Sequence, residues 1–581
     1  MIPHRSLRGF AVGLALLLPS ATTVDPAAAA AAKPATATAV TARPGTATSA
    51  GPGTAASAGT STSPGAPTAR PQGGDRVIVR TDKGAVRGST TEGVDRFLGI
   101  PFAAPPVGDR RLAPPAPASR WRGVRPATAY GPACAQLPSG NGPRSEAEDC
   151  LYLNVFRPTG ARRAHRRLPV LFYIYGGGLQ NGGAQQYDGS KLAADNNVIV
   201  VTANYRLNVF GLLTLPGLSG NYALHDQQAA LRWTRANAAA FGGNPRAVTI
   251  GGESAGAFSV CAHLTAPGSA GLFNGAILQS GSCISTPKAQ AESNGTAFAR
   301  SVGCSDPSTV VTCLRAKPTS ELLDASTRFQ PSLVNGGDSL PVPPADAVAA
   351  GRFAQVPVVV GATRDEGRTF ALGFAGSTPA QYEAWVRAIF GARADEVLRR
   401  YPIGDYTGQY AAAYAVAAIL TDAGLVGGIG GCPNLRLARQ LSTHTRAYLY
   451  QFDDRQFPGL TPGRPPGYEW GAPHAGDLPY LFPSFDNGTP ITPYFTAAQH
   501  RLADDMSRYW GTFVRRGTPN APLSHLAYWP DMRSGALLSL RPGGKSARIT
   551  FAEYRAQHQC DFWDASPVPT TATDFRAPTN S

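Results

Sequence analysis

The chain has 581 residues, a formal net charge of +15, and a composition that is 43% hydrophobic and 16% charged, with 65 glycines and 51 prolines. This apolar share is typical of globular proteins and excludes a wholly disordered chain. No stretch approaches the ~18 to 20 consecutive apolar residues that a membrane span needs, so no transmembrane segment is expected.

The N-terminus has the pattern of an export signal. Residues 1–8 carry His4, Arg5 and Arg8, residues 10–18 are apolar, and small residues follow. This order predicts a signal peptide over residues 1–30 and a secreted, extracellular or surface-associated protein. Residues 31–75 consist almost entirely of Ala, Thr, Pro, Gly and Ser, a composition that cannot build a core and predicts a disordered linker. Residues 564–581 are predicted to form a C-terminal tail.

From residue 76 onward, strand-like runs alternate with helix-like segments. This alternation predicts an α/β fold with a large, mostly parallel sheet flanked by helices. A helix with apolar residues at helical spacing is predicted over 222–241. The predicted strands are 151–156, 168–173, 198–204, 248–251, 275–279, 356–360 and 447–452.

The basic charge comes almost entirely from arginine, since only six of the 53 basic residues are lysines. The densest cluster, residues 162–167, lies between two predicted strands and is interpreted as a solvated hairpin loop. An anionic cell-wall or membrane contact is the alternative. No zinc-finger spacing or RNA-binding aromatic pattern accompanies the arginines, so no nucleic-acid partner is expected. Nothing in the sequence indicates an oligomeric state.

A G-x-S-x-G motif at residues 252–256 is the first sign of catalytic chemistry. The pattern is weak by itself in a glycine-rich chain, and an ordinary βα turn is the alternative. Its context strengthens it, because 248–250 is a predicted strand and 254–264 a predicted helix. A nucleophilic serine in a strained turn needs neighbours without Cβ atoms, so that the strand and the helix can approach each other. Ser254 is therefore the candidate nucleophile.

A nucleophilic serine also needs a base, an acid and donors for an oxyanion. The predicted strand 168–173 runs into Gly176, Gly177 and Gly178, whose backbone N–H groups can serve as the donors. A flexible loop is the alternative interpretation of this glycine run. Of the five histidines after the best acid candidates, His474 lies in a small-residue loop downstream of the strand 447–452. Asp365 and Glu366 both follow the strand 356–360, and either can serve as the acid on physical grounds.

Several further motifs occur in order along the chain. They are 97–103 (FLGIPFA), 105–108 (PPVG), 148–154 (EDCLYLN), 204–206 (NYR), 241–245 (FGGNP), 279–282 (QSGS) and 365–367 (DEG). Together with the G-x-S-x-G motif, they resemble the type-B carboxylesterase and lipase family, which includes the cholinesterases. The resemblance covers residues 76–563 and implies one large α/β-hydrolase domain.

The resemblance also implies roles for individual residues. Ser254, Glu366 and His474 match the family's nucleophile, acid and base, and this match favours Glu366 over Asp365. The amides of Gly177, Gly178 and Ala255 match the oxyanion hole. The pairs Arg111 with Glu148 and Arg206 with Asp226 match structural salt bridges. No metal or organic cofactor is implied.

Eight cysteines in an exported protein favour disulfides over free thiols or metal ligands. Their spacing alone does not fix the pairing, but the resemblance implies Cys134 with Cys150, Cys304 with Cys313, and Cys432 with Cys560. Cys261 lies about 10 Å along its predicted helix from Ser254 at ~1.5 Å per residue, whereas Cys283 follows the carboxyl end of the next strand. A disulfide tolerates at most about 7 Å between Cα atoms. Both cysteines are therefore predicted to be free and buried.

The resemblance implies a serine hydrolase that acts on small-molecule esters through an acyl-enzyme. Alternatives are an acyltransferase, a lipase for longer-chain esters, and a non-catalytic binding or adhesion homologue. A cholinesterase is not expected. The loop 135–149 contains no aromatic residue, Leu179 follows the glycines where choline-binding members carry an aromatic, and Arg368 adds positive charge if it points inward. A quaternary ammonium group needs aromatic faces around it, so neutral esters are the predicted substrates.

Overall fold

The structure is a computed structural model that describes residues 77–161, 166–522 and 524–565. The predicted signal peptide, the predicted linker and all but the first two residues of the predicted tail lie outside the described residues. Among the described residues, no helix has the length and apolar character to span a membrane.

An eleven-stranded sheet runs through the described part of the chain, in the order β16-β15-β14-β13-β10-β9-β7-β8-β6-β4-β3. The seven strands from β15 to β8 are parallel to their neighbours, and the outer strands pair antiparallel. The strands of this sheet are β3 (Ser89–Thr91), β4 (Val94–Pro101), β6 (Tyr152–Pro158), β7 (Leu168–Ile174), β8 (Ile199–Ala203), β9 (Gly243–Glu253), β10 (Gly275–Gln279), β13 (Val358–Thr363), β14 (Ala447–Phe452), β15 (Ala536–Leu540) and β16 (Ala547–Thr550).

Two small sheets accompany the large one. One joins β1 (Ile78–Arg80), β2 (Ala85–Arg87) and β5 (Val124–Pro126), and the other joins β11 (Thr286–Pro287) to β12 (Val334–Asn335). The second sheet becomes important below, because it anchors a loop beside the candidate site.

Helices cover both faces of the large sheet, so its central strands are buried along their whole length. Every residue of β8, β10 and β14 is buried, as expected for parallel strands enclosed by helices. Helix α4 (Ala255–Thr265) packs on β9 and β10, and α13 (Gly431–Ser442) packs on β13 and β14.

The α-helices in the described residues are α1 (Ser190–Asn196), α2 (Asn208–Leu212), α3 (Tyr222–Asn237), α4 (Ala255–Thr265), α5 (Lys288–Ser301), α6 (Val310–Ala316), α7 (Thr319–Ala325), α8 (Pro344–Ala349), α9 (Gly367–Phe370), α10 (Pro379–Phe390), α11 (Ala394–Arg400), α12 (Ala411–Ala423), α13 (Gly431–Ser442), α14 (Leu478–Leu481), α15 (Ala497–Arg516), α16 (Phe551–Gln557) and α17 (Cys560–Ala565).

The predicted α/β class and mostly parallel sheet are confirmed. Each predicted strand exists, and the two predicted over 275–279 and 447–452 have the observed bounds. The hairpin interpretation of the arginine cluster is wrong, because β8 lies between the two flanking strands β6 and β7 in the sheet. Residues 162–165 of that cluster lie outside the described residues.

Four disulfides are formed, and three of them are the predicted pairs. Cys134 pairs with Cys150, Cys304 with Cys313, and Cys432 with Cys560, with Cα–Cα distances of 5.0, 5.7 and 5.3 Å. Such bonds persist in oxidising compartments, so they are consistent with a secreted or lumenal protein.

The prediction that Cys261 and Cys283 are free is wrong, because they form the fourth disulfide with a Cα–Cα distance of 5.3 Å. The prediction assumed that the chain continues away from helix α4 after β10. Instead, Ser280 takes a positive φ of 50°, and a Cβ on the next residue, Gly281, would lie 2.3 Å from the Cβ of Ala257 on α4. The loop therefore turns back along the helix and brings Cys283 to Cys261.

Both salt bridges implied by the resemblance are present, and the pair of Arg206 with Asp226 is buried. Arg206 donates from Nε and Nη2 to the two carboxylate oxygens of Asp226, each at 2.8 Å, and the side chains are 3% and 0% exposed. Arg111 makes a bidentate pair with Glu148. A buried pair of this kind fixes geometry, since removing one partner leaves an uncompensated charge in the core.

We expect Arg206→Met to lower the free energy of unfolding by about 3 to 5 kcal/mol, because Asp226 then stays buried without its partner. Urea denaturation followed by tryptophan fluorescence, with the disulfides intact, measures this loss. Arg387→Met is the matched control, since Arg387 pairs with Glu383 on an exposed helix face and such pairs stabilise little. Equal midpoints for the two variants would contradict the expectation.

Candidate active site

Ser254 lies in a strained turn between strand β9 and helix α4. Its backbone has φ 56° and ψ −124°, a conformation that non-glycine residues rarely adopt. A Cβ at Gly256 would lie 2.0 Å from the carbonyl oxygen of Ile174, and a Cβ at Gly252 would lie 2.6 Å from the backbone of Gly256. Helix α4 can approach both β9 and the end of β7 at Ser254 only because these two glycines lack side chains. The structure therefore has the strand-turn-helix geometry predicted for the motif.

The Ser254 hydroxyl faces a pocket. The side chain is largely buried, at 7% exposure, and Ser254 is among the residues that line a cavity of about 70 Å³. Within the described part of the chain, its hydroxyl makes no hydrogen bond, so the oxygen is free to contact a molecule in the pocket.

Three backbone N–H groups near Ser254 have no acceptor among the described residues. They belong to Gly177, Gly178 and Ala255, the positions predicted for the oxyanion hole, and Gly178 lines the same pocket. Gly177 and Gly178 have positive φ angles of 101° and 64°, and a Cβ at Gly177 would lie 2.2 Å from the carbonyl oxygen of Asn181. The glycine run therefore forms a tight turn with closely packed backbone rather than a loose loop.

Tyr175 holds the glycine run against the neighbouring strand end. Its hydroxyl donates to the carbonyl of Tyr205 at 3.1 Å, and the hydroxyl of Tyr205 donates to the carbonyl of Tyr175 at 2.7 Å. The two rings stack with centroids 4.3 Å apart. These reciprocal contacts fix the chain immediately before the three glycines.

His474 and Glu366 form a buried pair. Glu366 Oε2 lies 2.7 Å from His474 Nδ1, and Glu366 Oε1 accepts from the N–H of Thr363 at 2.8 Å. Asp365, the other acid that the residues alone left open, instead binds Arg455 and accepts from the N–H of Ala472. The structure therefore brings Glu366, and not Asp365, to the imidazole.

Two further buried carboxyl groups surround His474, and sequence reasoning missed both. Glu253 Oε1 lies 3.1 Å from His474 Nε2. Asp477 accepts from Gln279 Nε2 at 2.9 Å and from the hydroxyl of Tyr450 at 2.8 Å. Glu253 is the residue directly before Ser254, and Asp477 follows His474 by three positions. Their closeness in sequence to these two candidates is the signal that could have identified them.

The buried charges change the proton affinities of the cluster. Burial lowers the pKa of His474, but attraction to Glu253 and Glu366 and the hydrogen bond to Glu366 outweigh burial, so the pKa is raised above its ordinary value. Burial raises the pKa of Glu253, and attraction to His474 opposes that rise. The surrounding carboxyl groups therefore stabilise the protonated form of His474.

The pocket next to Ser254 is mostly apolar. None of the described residues that line it carries a charge, and its two aromatic side chains are phenylalanines, without a tryptophan or tyrosine. Phe370 also contacts the His474 ring, with centroids 4.8 Å apart. The lining residues are Gly178, Leu179, Gln180, Ser254, Phe258, Ile284, Gln330, Pro331, Ser332, Leu333, Phe370, Val426, Gly427 and Ile429.

Arg368 does not point into this pocket. Its guanidinium carbon lies 3.7 Å from the centroid of the Tyr414 ring, and Nη1 donates to the carbonyl of Glu469. It lines a different cleft, together with Arg364 and Asp422. The inward positive charge considered from the sequence is therefore not present at Ser254.

A serine on a sharp turn after a central parallel strand, with free amides beside it, defines the α/β-hydrolase class. The sequence profile of the carboxylesterase family matches residues 75–563. The chain belongs to this family, and the protein is a carboxylic ester hydrolase.

Named relatives agree with this assignment. The chain is 36% identical over 491 residues to the cocaine esterase of Oryctolagus cuniculus, covering 78% of this chain and 90% of that protein. It is 35% identical over 508 residues to the acetylcholinesterase of Bungarus fasciatus, covering 78% and 80%. It is also similar to the solved structure of a PNB esterase, with a TM-score of 0.67, 32% identity, and coverage of 83% of this chain and 99% of the other.

We expect Glu253→Gln to lower the pKa of His474 by at least about one pH unit, because it removes an ionisable carboxyl group that attracts the protonated ring and leaves a side chain of the same size. NMR titration of the protein labelled with ¹³C at histidine measures this value, and the resonance absent from His474→Gln identifies the signal. Glu253→Asp retains an ionisable carboxyl group, so the pKa of His474 should stay closer to that of the parent. An unchanged titration midpoint in Glu253→Gln would show that Glu253 does not stabilise the imidazolium.

Proposed function

We propose that Ser254, His474 and Glu366 are the nucleophile, base and acid of an ester hydrolase that acts through an acyl-enzyme. The observation that carries this proposal is the joint geometry around Ser254. A free serine oxygen in a strained turn opens onto a pocket. The imidazole of His474 contacts the pocket residue Phe370 and Glu253, the neighbour of Ser254, and a 2.7 Å contact with Glu366 orients it. These are the parts that acyl transfer by serine requires.

In this mechanism, His474 takes the proton of Ser254 as the serine oxygen attacks the ester carbonyl. The carbonyl oxygen becomes an oxyanion and accepts from the N–H groups of Gly177, Gly178 and Ala255, which have no other acceptor among the described residues. His474 then protonates the leaving alcohol, and water hydrolyses the acyl-enzyme by the reverse steps. Fixed donors of this kind stabilise charge only as it develops, which lowers the barrier.

The surrounding carboxyl groups stabilise the charged imidazole. Glu366 contacts Nδ1 and Glu253 lies 3.1 Å from Nε2, so an imidazolium faces a carboxyl group on each side. Burial raises the pKa of Glu253 to about 8, so Glu253 adds negative charge beside the ring when it is ionised. Because these groups are buried, their attraction is weakly screened. We assign Glu253 to positioning and charge balance, since its carboxyl faces the ring.

Neutral esters are the substrates that the pocket favours. Its described lining is uncharged and largely aliphatic, with Phe258 and Phe370 as its aromatic members. A quaternary ammonium group would find neither a carboxylate nor the face of a tryptophan there. The relatives' names include both a cocaine esterase and an acetylcholinesterase, so the pocket lining, rather than similarity, carries this part of the proposal.

The proposal includes export. Residues 1–30 have the pattern of a signal peptide, residues 31–75 that of a linker to the catalytic domain, and 564–581 that of a tail. Four disulfides in the described residues agree with an oxidising destination. We therefore propose that the protein is secreted and acts outside the cell.

We expect Ser254→Ala to reduce kcat/KM for p-nitrophenyl acetate by about 10³-fold or more while the fold is retained. His474→Ala should cause a similar loss, and the double variant little more, because the two residues act as a unit. Steady-state kinetics with circular dichroism as the folding control measures both points. A folded Ser254→Ala variant with more than about a tenth of the parent activity would overturn the nucleophile assignment.

We expect the kcat/KM for butyl butyrate to exceed that for butyrylcholine by about tenfold or more, since the pocket offers the cation no aromatic cage. Acid release at constant pH measures both reactions without a chromophore. The two esters share their acyl group, so the comparison isolates the alcohol. Comparable values would mean that the cationic alcohol finds aromatic or acidic partners outside the described pocket lining.

A further inference from the structure

One face of helix α4 extends from the reactive serine to a disulfide. Ser254 precedes the helix, Phe258 follows four residues later and Cys261 three residues after that, so the three positions share a face. Phe258 lines the pocket, and Cys261 is fully buried beneath it, at 0% exposure. The disulfide is therefore joined to the pocket through a single turn of helix.

The other half of the disulfide lies in residues 280–285, which we call the strap. Ile284, the neighbour of Cys283, lines the pocket. A Cβ at Gly427, placed only to probe its surroundings, would lie 3.1 Å from Phe258 Cζ and 3.3 Å from Ile284 Cδ1. The two side chains therefore flank the same glycine and form one continuous part of the wall.

The strap contacts two other segments that line the pocket. The hydroxyl of Ser282 donates to the carbonyl of Gly427, and Asn335 donates to the hydroxyl of Ser285 at 2.8 Å. Strand β11, immediately after the strap, pairs with β12, which follows the lining residue Leu333. These ties are single hydrogen bonds or a two-residue ladder, and the bond from Cys283 to Cys261 is the covalent tie of the strap.

We propose that the Cys261–Cys283 disulfide is a specificity-determining element of this esterase. It holds Ile284 in the pocket wall beside Gly427 and so sets the width of the pocket that receives a chain of the ester. This inference rests on the proposed role of the pocket as the substrate site. The two cysteines act as positioning residues, since neither lines the pocket. Without the bond, the strap can move away from helix α4, and the pocket accepts longer chains.

The narrow pocket makes this effect measurable. Its volume of about 70 Å³ leaves little room beyond a short chain, and one methylene in an apolar pocket changes kcat/KM by roughly 10-fold or more. A small movement of Ile284 is therefore expected to change the ratio of kcat/KM for long esters to kcat/KM for short esters. This ratio is a more informative measurement than the rate with any single ester.

The test compares kcat/KM for two ester series. One varies the acyl chain from acetate to octanoate with p-nitrophenol constant, and the other varies the alcohol from ethyl to octyl with acetate constant. Ile284→Ala enlarges the wall directly and identifies the series whose chain enters the pocket. The double variant Cys261→Ala with Cys283→Ala should raise the long-to-short ratio in that same series by about fivefold or more. The ratio within one preparation is independent of the fraction of folded enzyme.

Two controls separate positioning from general destabilisation. Cys304→Ala with Cys313→Ala removes a different disulfide and should leave the ratio within about twofold of the parent. Cys261→Val with Cys283→Ala restores volume at the fully buried position, and an equal change in its ratio would show that the lost bond, not a cavity, is the cause.

The outcomes distinguish this inference from the proposed function. If Ile284→Ala changes the ratio and the Cys261–Cys283 variants do not, the disulfide does not set the pocket width and the inference is overturned. If neither change alters either series, the inference fails because the pocket does not receive the ester chain, and the proposed substrate site fails with it. A loss of activity in Ser254→Ala tests the reaction itself and is independent of both.

Discussion

The close approach of strand β9 and helix α4 at Ser254 is the constraint on which the rest of the site depends. It exists because Gly252 and Gly256 leave room for backbone where any Cβ would collide. The strain at Ser254 is stabilised by the buried strands on either side of β9, which cannot shift independently. This turn determines the positions of the serine oxygen, the Ala255 amide and the pocket residue Phe258, because all three lie at the start of α4.

The second organising feature is a group of buried carboxyl groups around the His474 imidazole. Glu253, Glu366 and Asp477 surround His474, and each of the four is at most 7% exposed. An isolated buried carboxylate is strongly unfavourable, but here the imidazole, the Thr363 amide, Gln279 and Tyr450 share the charge. The cost of burying this cluster is offset by a large core on both sides of the sheet, and the result is an imidazole whose proton affinity is raised by its surroundings.

The pocket wall shows how a loop outside the candidate catalytic residues is tied to the helix that begins beside Ser254. The strap reverses direction at Ser280, packs Gly281 on Ala257, and joins Cys283 to the same helix that begins at Ser254. The turn at Ser254 and the strap beside the pocket are therefore cross-linked through helix α4. The Cys304–Cys313 disulfide closes a short loop that contains no pocket residue. Only the Cys261–Cys283 disulfide of these two therefore joins segments that contribute to the pocket wall.

The sequence by itself determined the α/β class, the strand-turn-helix at Ser254 and the glycine run, because hydrophobic periodicity and glycine positions are local properties. The cysteine pairs and salt bridges came from the family resemblance that the ordered motifs carry. It left Asp365 and Glu366 equivalent on physical grounds, and it placed Cys261 and Cys283 too far apart. Those points depend on where a loop goes after its strand ends. Only the tertiary structure turned Glu366 toward His474, directed Asp365 to Arg455, folded the strap back onto α4 and moved Arg368 away from the pocket, since each outcome is decided by packing between segments distant in sequence.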